Sequence, residues 1–152
     1  MRIATANDHA GLDLKREVAE GLTKLGHQIE DFGTHDNSSV DYPDFAARVA
    51  KAVRGGQVEM GVLVCGTGIG MSIVANKYRG VRAALCTTEF EARMARMHND
   101  ANVLCLGERV VGPGLARVIA EAFVGTAFEG GRHLKRVQKI ADAERDPEAC
   151  NG

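Results

Sequence analysis

The sequence predicts an α/β fold: a parallel sheet of five strands, covered by helices on both faces, with one further helix at the C-terminus. Three observations predict it. Short apolar runs alternate with longer amphipathic segments along the chain, and strands that alternate with helices pair in parallel through crossovers. A run such as Gly61-Val62-Leu63-Val64-Cys65 is apolar throughout rather than at every second position, as strands buried on both faces are. Glycine or proline stands at many of the joints between runs, where turns and helix ends need them.

Residues 2–6 form the first predicted strand. Residues 11–25 read as a helix, with Leu12, Val18, Ala19, Leu22 and Leu25 at helical spacing and Gly26 as its stop. The second strand is expected at 27–32, ending at Gly33, and a polar loop at 34–42. Pro43 sits where the first turn of a helix tolerates proline, and that helix should run to about Val53, before Gly55-Gly56. The third strand, 60–64, leads into a glycine loop and a helix through about Lys77. A strand at 82–86, a helix at 89–97, a strand at 102–106 and a helix at 113–124 follow. The last helix, about 134–144, comes after Gly130-Gly131. The expected architecture is a Rossmann-like three-layer sandwich forming one domain over 1–152, and such a chain buries roughly 70% of its unfolded surface.

Bulk properties narrow the function classes. Net charge is −1, with 26% charged and 45% hydrophobic residues, so nothing drives the chain toward nucleic acid or an anionic membrane. No apolar run approaches the roughly 20 residues of a membrane span, and the start, Met1-Arg2-Ile3-Ala4-Thr5, lacks a signal peptide's apolar stretch. Cys65, Cys86, Cys105 and Cys150 form no Cys-x-x-Cys pair, which argues against zinc and thioredoxin-type sites and suits a reducing, cytoplasmic compartment. Cys86, Cys105 and Cys150 read as structural or incidental.

Ligands of parallel α/β sheets bind beyond the carboxyl ends of the strands. At the third of these ends lies Cys65-Gly66-Thr67-Gly68-Ile69-Gly70. Glycines let the backbone turn tightly and present its N–H groups, and the following helix start favours negative charge. A thiol beside an anion cradle suits chemistry that forms an oxyanion. Three familiar loop types fail here. A dinucleotide fingerprint and a Cys-x5-Arg phosphatase loop each need their last residue where Met71 stands, and a nucleotide phosphate loop needs a Gly-Lys-Ser/Thr that is missing. Other strand-end or inter-element signals are Asn7-Asp8-His9-Ala10-Gly11, His98-Asn99-Asp100-Ala101-Asn102, and Gly130-Gly131-Arg132-His133-Leu134-Lys135-Arg136. In the last, Arg132 and Arg136 share a helix face.

Taken in order, these segments resemble the ribose-5-phosphate isomerase B family, which belongs with galactose-6-phosphate and allose-6-phosphate isomerases. The resemblance also covers Asp41-Tyr42-Pro43, Ala75-Asn76-Lys77 and Arg109-Val110-Val111-Gly112, and so spans nearly the whole chain. It implies an aldose–ketose isomerase without metal or cofactor, interconverting ribose 5-phosphate and ribulose 5-phosphate through an enediolate in the pentose phosphate pathway. By this resemblance Cys65 is the base that moves the proton between adjacent carbons, a task for which a helix N-terminus favours the thiolate. The backbone of Gly66, Gly68, Ile69 and Gly70 would stabilise the enediolate oxygen, and Thr67 would add a hydroxyl. His98 would give the proton that opens the sugar ring. Asp8, His9 and Asn99 would hold hydroxyls or phosphate, and Arg109, Arg132 and Arg136 the phosphate.

Some family members carry a Glu base just after the glycine loop. Met71 occupies that place, which assigns this chain to the cysteine branch. Glu89 and Glu91, the next carboxylates, fit a helix start equally well. Tyr42-Pro43 reads either as substrate wall or as helix start, and His133 and His35 receive no role. The resemblance further implies a homodimer or homotetramer whose active sites are shared between chains. Two alternatives stay open: a hexose-6-phosphate isomerase, since nothing in the sequence measures pocket length, and a non-catalytic phosphosugar-binding protein.

Overall fold

The computed structural model describes residues 1–145; Cys150 lies outside them. The chain runs β1 (Arg2–Asn7), α1 (Leu12–Lys24), β2 (Gln28–Asp31), α2 (Tyr42–Arg54), β3 (Met60–Cys65), α3 (Ile69–Ala75), β4 (Ala83–Leu85), α4 (Glu89–Asn99), β5 (Val103–Gly107), α5 (Pro113–Gly125) and α6 (Arg132–Ala143). Every predicted element is present, with ends that differ by a few residues at most.

The strands form one parallel sheet in the order β2-β1-β3-β5-β4. Adjacent residues of a strand point to opposite faces, and the packing follows that parity. Val62 and Val64 of β3 and Leu104 and Leu106 of β5 join a core with α1, α4 and α5, represented by Val18, Ala92 and Phe123. Leu63 and Cys65, with Val103 and Cys105, join a second core with α2 and α3, represented by Phe45, Val49 and Met71. The sheet is thus sandwiched between two helical layers, which explains why β3 and β5 carry no polar side chain within their bounds.

The central neighbours are β1 and β3. The chain leaves β1 for α1 on one face and leaves β3 for α3 on the other. The two connections part above the sheet, and this divergence opens the crevice in which such folds bind ligands.

Two local features prepare the rest of the site. At the start of α4, Thr88 Oγ1 accepts from Glu91 N–H while the Glu91 carboxylate accepts from the Thr87 and Thr88 N–H groups, a reciprocal cap. Those donors hold Glu91 below the usual carboxylate range, the Thr87 N–H foremost. Glu89 pairs with Arg93. Both carboxylates therefore serve the helix start. At the end of α4, Asp100 adopts left-handed backbone, φ 45°, and its carboxylate bridges Arg82 and Arg96, each at 2.9 Å. Asn102 binds the Arg82 N–H and the Gly80 carbonyl. Asp100 and Asn102 thus fix the turn that follows His98 and Asn99.

Candidate active site

Beyond β1 and β3 lies a cleft of about 440 Å³, lined by Asp8, His9, Ala10, Tyr42, Cys65, Gly66, Thr67, Ile69, Gly70 and Arg109. Eight of these were singled out in the sequence as site residues with assigned tasks: Asp8, His9, Cys65, Gly66, Thr67, Ile69, Gly70 and Arg109. Each is set by a backbone constraint. Asp8 is 7% exposed and its carboxylate accepts the Ala10 N–H at 2.9 Å, closing a tight turn that aims the β1 connection at the cleft. His9 Nδ1 accepts the Val40 N–H at 3.3 Å, so a neutral His9 carries its proton on Nε2 and acts there as a donor. The long polar loop before α2 is in this way tied to the cleft.

Cys65 ends β3 and is 5% exposed. Its Sγ accepts the Gly68 N–H at 3.1 Å. Gly68 has φ 78°, a conformation a side chain rarely adopts, which lets the chain turn from the loop into α3. Negative charge on Sγ therefore meets a fixed donor. The Gly68 N–H is engaged by sulfur, and the Ile69 N–H reaches Thr67 Oγ1 at 3.4 Å. Gly66, Thr67 and Gly70 are the loop positions left to face an oxyanion.

The loop after β5 is stitched to the same turn. The Glu108 N–H donates to the Cys65 carbonyl at 2.9 Å and the Arg109 N–H to the Gly66 carbonyl at 3.0 Å. These bonds lay the Arg109 side chain over Gly66, where an added Cβ would stand 3.5 Å from its Cζ. Glu108 itself accepts the Leu14 N–H of α1. Tyr42 combines both roles weighed for it: it begins α2, and its ring lines the cleft against Gly70.

The remaining predicted residues assemble elsewhere. His98, Asn99, Arg132 and Arg136 do not line this cleft. His98 stacks on His133, with ring centroids 4.2 Å apart and planes 9° from parallel. Glu129 Oε2 lies 3.8 Å from His98 Nε2 and 3.6 Å from His133 Nε2. Arg132 and Arg136 project from the first turns of α6 and are exposed. Glu129 and His133 were missed in the sequence; the signal was the spacing of Glu129 and His133, four apart across Gly130-Gly131.

The ligand atoms of His98, Glu129 and His133 lie within 4.8 Å of one another, which invites a metal reading. Their geometry opposes it. Parallel stacked rings direct their nitrogen lone pairs side by side rather than toward one ion, and Arg132 Nε donates to His133 Nε2 at 3.3 Å. Burial, then the neighbouring His98, pushes His133 below the ordinary histidine range, against the pull of Glu129.

The other thiols among the described residues, Cys86 and Cys105, are inert by the same physics. Burial pushes Cys86 up to about 12, helped by Glu91, and raises Cys105 further still. No helix among the described residues is long and apolar enough to cross a membrane.

Comparison with known proteins gives the family and the fold. The ribose/galactose isomerase family matches residues 3–140. The chain is 50% identical to a putative sugar phosphate isomerase of Bacillus subtilis, over 95% of this chain and 97% of that protein. It is 46% identical to ribose-5-phosphate isomerase B of Escherichia coli, with the same coverage. Among solved structures, ribose-5-phosphate isomerase B of Clostridium thermocellum superposes with a TM-score of 0.95 at 53% identity, covering 97% of this chain and 99% of that one.

Proposed function

The chain belongs to the ribose/galactose isomerase family, and we propose that it interconverts ribose 5-phosphate and ribulose 5-phosphate, without a metal, as one domain spanning 1–152. The observation that carries this reading is the Cys65 thiol at the base of the cleft, held by the Gly68 N–H beside a turn of backbone donors.

The chemistry follows from those positions. Ribose 5-phosphate is mostly a closed hemiacetal. As the bond between C1 and the ring oxygen breaks, the ring oxygen takes a proton from His98, the anomeric hydroxyl loses one, and an aldehyde remains. The Cys65 thiolate then removes the proton from C2, next to the carbonyl. The electron pair moves onto O1, and the resulting enediolate is met by N–H groups of the glycine loop and by Thr67. A single such donor is worth about 3–4 kcal/mol of barrier. Cys65 returns the proton to C1 as O2 becomes the ketone oxygen, and the O2 proton passes to O1, which becomes the C1 hydroxyl. His9 Nε2–H and Asp8 orient hydroxyls, and Arg109, Arg132 and Arg136 hold the phosphate as planar cationic forks.

His98, Asn99, Arg132 and Arg136 stand apart from the Cys65 cleft of their own chain. This supports a homodimer, or a homotetramer built from it, in which each site takes these groups from a neighbouring chain. Two exposed apolar side chains on α6, Leu134 at 61% and Ile140 at 40%, fit burial against another copy. The unpaired thiols Cys65, Cys86 and Cys105 support a reducing cytoplasm, and the proposed substrate supports a role in pentose phosphate metabolism. Side-by-side turnover of ribose 5-phosphate, allose 6-phosphate and galactose 6-phosphate by chelator-treated protein tests the proposal. The expected result is a kcat/KM highest for the pentose. A hexose preferred over it would transfer the reading to the hexose branch, and binding without turnover of any would make the protein a sensor.

A further inference from the structure

We infer that Glu129 and His133 are positioning residues for His98, a fixed holder that orients its imidazole for opening the sugar ring. The inference rests on the ring-opening role proposed for His98 and goes beyond it by naming what sets that ring.

His98 sits in the last turn of α4 with its side chain about one-third exposed. An unsupported imidazole there would sample several rotamers. Three features hold it instead. First, the segment after α5 is pinned to α4: Arg96 Nε donates to the Thr126 carbonyl at 3.2 Å, and the Glu129 N–H donates to the Met97 carbonyl at 3.1 Å. The second bond sets Glu129 one residue from His98, with its carboxylate against Nε2. Second, Gly130 and Gly131 have φ 69° and 51°. That pair reverses the chain into α6 and carries His133 back over His98. Third, His133 is 3% exposed and lies flat beneath the His98 ring.

The division of labour inside the holder is asymmetric. Because Arg132 Nε donates to His133 Nε2, that nitrogen is an acceptor and His133 is the neutral, Nδ1–H tautomer. A neutral ring can stack on an imidazolium without repelling it. Glu129 then faces one ring that cycles through the cation, that of His98, and lies near enough to oppose its charge. In ring opening, His98 gives a proton to the ring oxygen as the C1–O bond breaks and is recharged by the proton the anomeric hydroxyl releases. Holding the ring in one plane through both transfers is the task assigned to Glu129 and His133. Neither residue touches the sugar.

The test uses full-length Glu129→Gln, Glu129→Asp, His133→Phe and, as reference, His98→Asn, each checked for fold by circular dichroism and for assembly by light scattering. Glu129 is half exposed, so its variants are expected to fold even where His133→Phe does not. Two rates are read in D2O with ribulose 5-phosphate, which is acyclic: deuterium exchange at C1, which needs only the Cys65 step, and formation of ribose 5-phosphate. The inference predicts that Glu129→Gln lowers kcat about tenfold with KM within twofold, part of the 10²–10⁴ that a complete general acid supplies. It also predicts that the ratio of exchange to isomerisation rises, as in His98→Asn, and that Glu129→Asp recovers part of the loss. A merely structural role would lower both rates together. Unchanged turnover in Glu129→Gln, or a fall with the ratio unmoved, overturns the inference while His98→Asn still shows the raised ratio. Full activity in His98→Asn would instead remove the ring-opening role on which it rests.

Discussion

Replacing Gly70 by alanine separates stability from activity in a way the structure lets one calculate. A Cβ at this position would stand 2.6 Å from Cε2 and Cζ of Tyr42 and 3.0 Å from its hydroxyl oxygen. Carbon atoms rest near 3.5–4.0 Å, so the ring must retreat by roughly 1 Å. Alanine in place of glycine in α3 gains about 1 kcal/mol of helix propensity. Overpacking costs about 1–3 kcal/mol, and the cost should lie at the low end because Tyr42 is 39% exposed and can swing outward. The two effects nearly cancel, and Tm should move by about 4 °C or less. The cleft wall, however, has moved by about 1 Å, a displacement that costs up to roughly a hundredfold in rate. The expected result is a kcat/KM for ribose 5-phosphate lowered ten- to a hundredfold in a protein that melts almost normally. A kcat/KM within twofold of the parent would refute the argument that Tyr42 shapes the site. A loss of activity that merely tracks a large fall in Tm would refute the claim that the Gly70 contact is local.

Three further perturbations test other parts of the account. With Cys86 pushed up to about 12, roughly one thiol in ten thousand is ionised at pH 8, so iodoacetamide should label Cys65 ahead of Cys86 and Cys105, with ribose 5-phosphate protecting it; preferential labelling of Cys86 would contradict the burial argument. Because the folded state holds that thiol protonated while the unfolded chain ionises near 9.0, its contribution to stability should be constant below pH 9 and be lost progressively as pH rises toward 12, read as a declining urea midpoint; a constant midpoint over that range would contradict it. Asp100→Ala removes the carboxylate shared by Arg82 and Arg96 and leaves the largely buried Arg96 cation short of a partner, so unfolding free energy should drop by about 3 kcal/mol; a drop under 0.5 kcal/mol would show that the Ala101 and Thr126 carbonyls suffice to hold Arg96.

The legible parts of the molecule were those written in local pattern. The apolar run of β3, the glycines after it and the capping chemistry of α4 depend on neighbours in the chain, and each element appears where spacing placed it. The strand order β2-β1-β3-β5-β4 depends on pairing between distant segments, which periodicity does not encode. At the site, Asp8, His9, Cys65 and Arg109 were legible because each follows a strand end and the sheet gathers strand ends. The bond from the Gly68 N–H to sulfur was not, since it joins a backbone group to a side chain three positions back through the shape of the whole loop. Tyr42 was seen as wall or helix start because both readings use the same residue, and it does both. Glu129 and His133 were passed over for a related reason: their meaning arises only when the Gly130-Gly131 turn folds α6 back onto α4 and stacks His133 on His98. Glu91 shows the opposite case, a carboxylate weighed for the site whose bonds to Thr87 and Thr88 commit it to the helix.

The central claim, that Cys65 carries the proton between C1 and C2, is tested most directly by chelator-treated wild type and Cys65→Ala given ribose 5-phosphate deuterated at C2. Substrate binding by calorimetry and circular dichroism serve as controls. The account predicts that the wild type forms ribulose 5-phosphate and takes the deuterium off C2, delivering it to C1 or exchanging it with solvent on the way. It predicts that the variant folds and binds sugar phosphate yet does neither above background. Isomerisation or deuterium loss by Cys65→Ala at more than a few per cent of the wild-type rate would contradict it and place the base on another residue of the cleft.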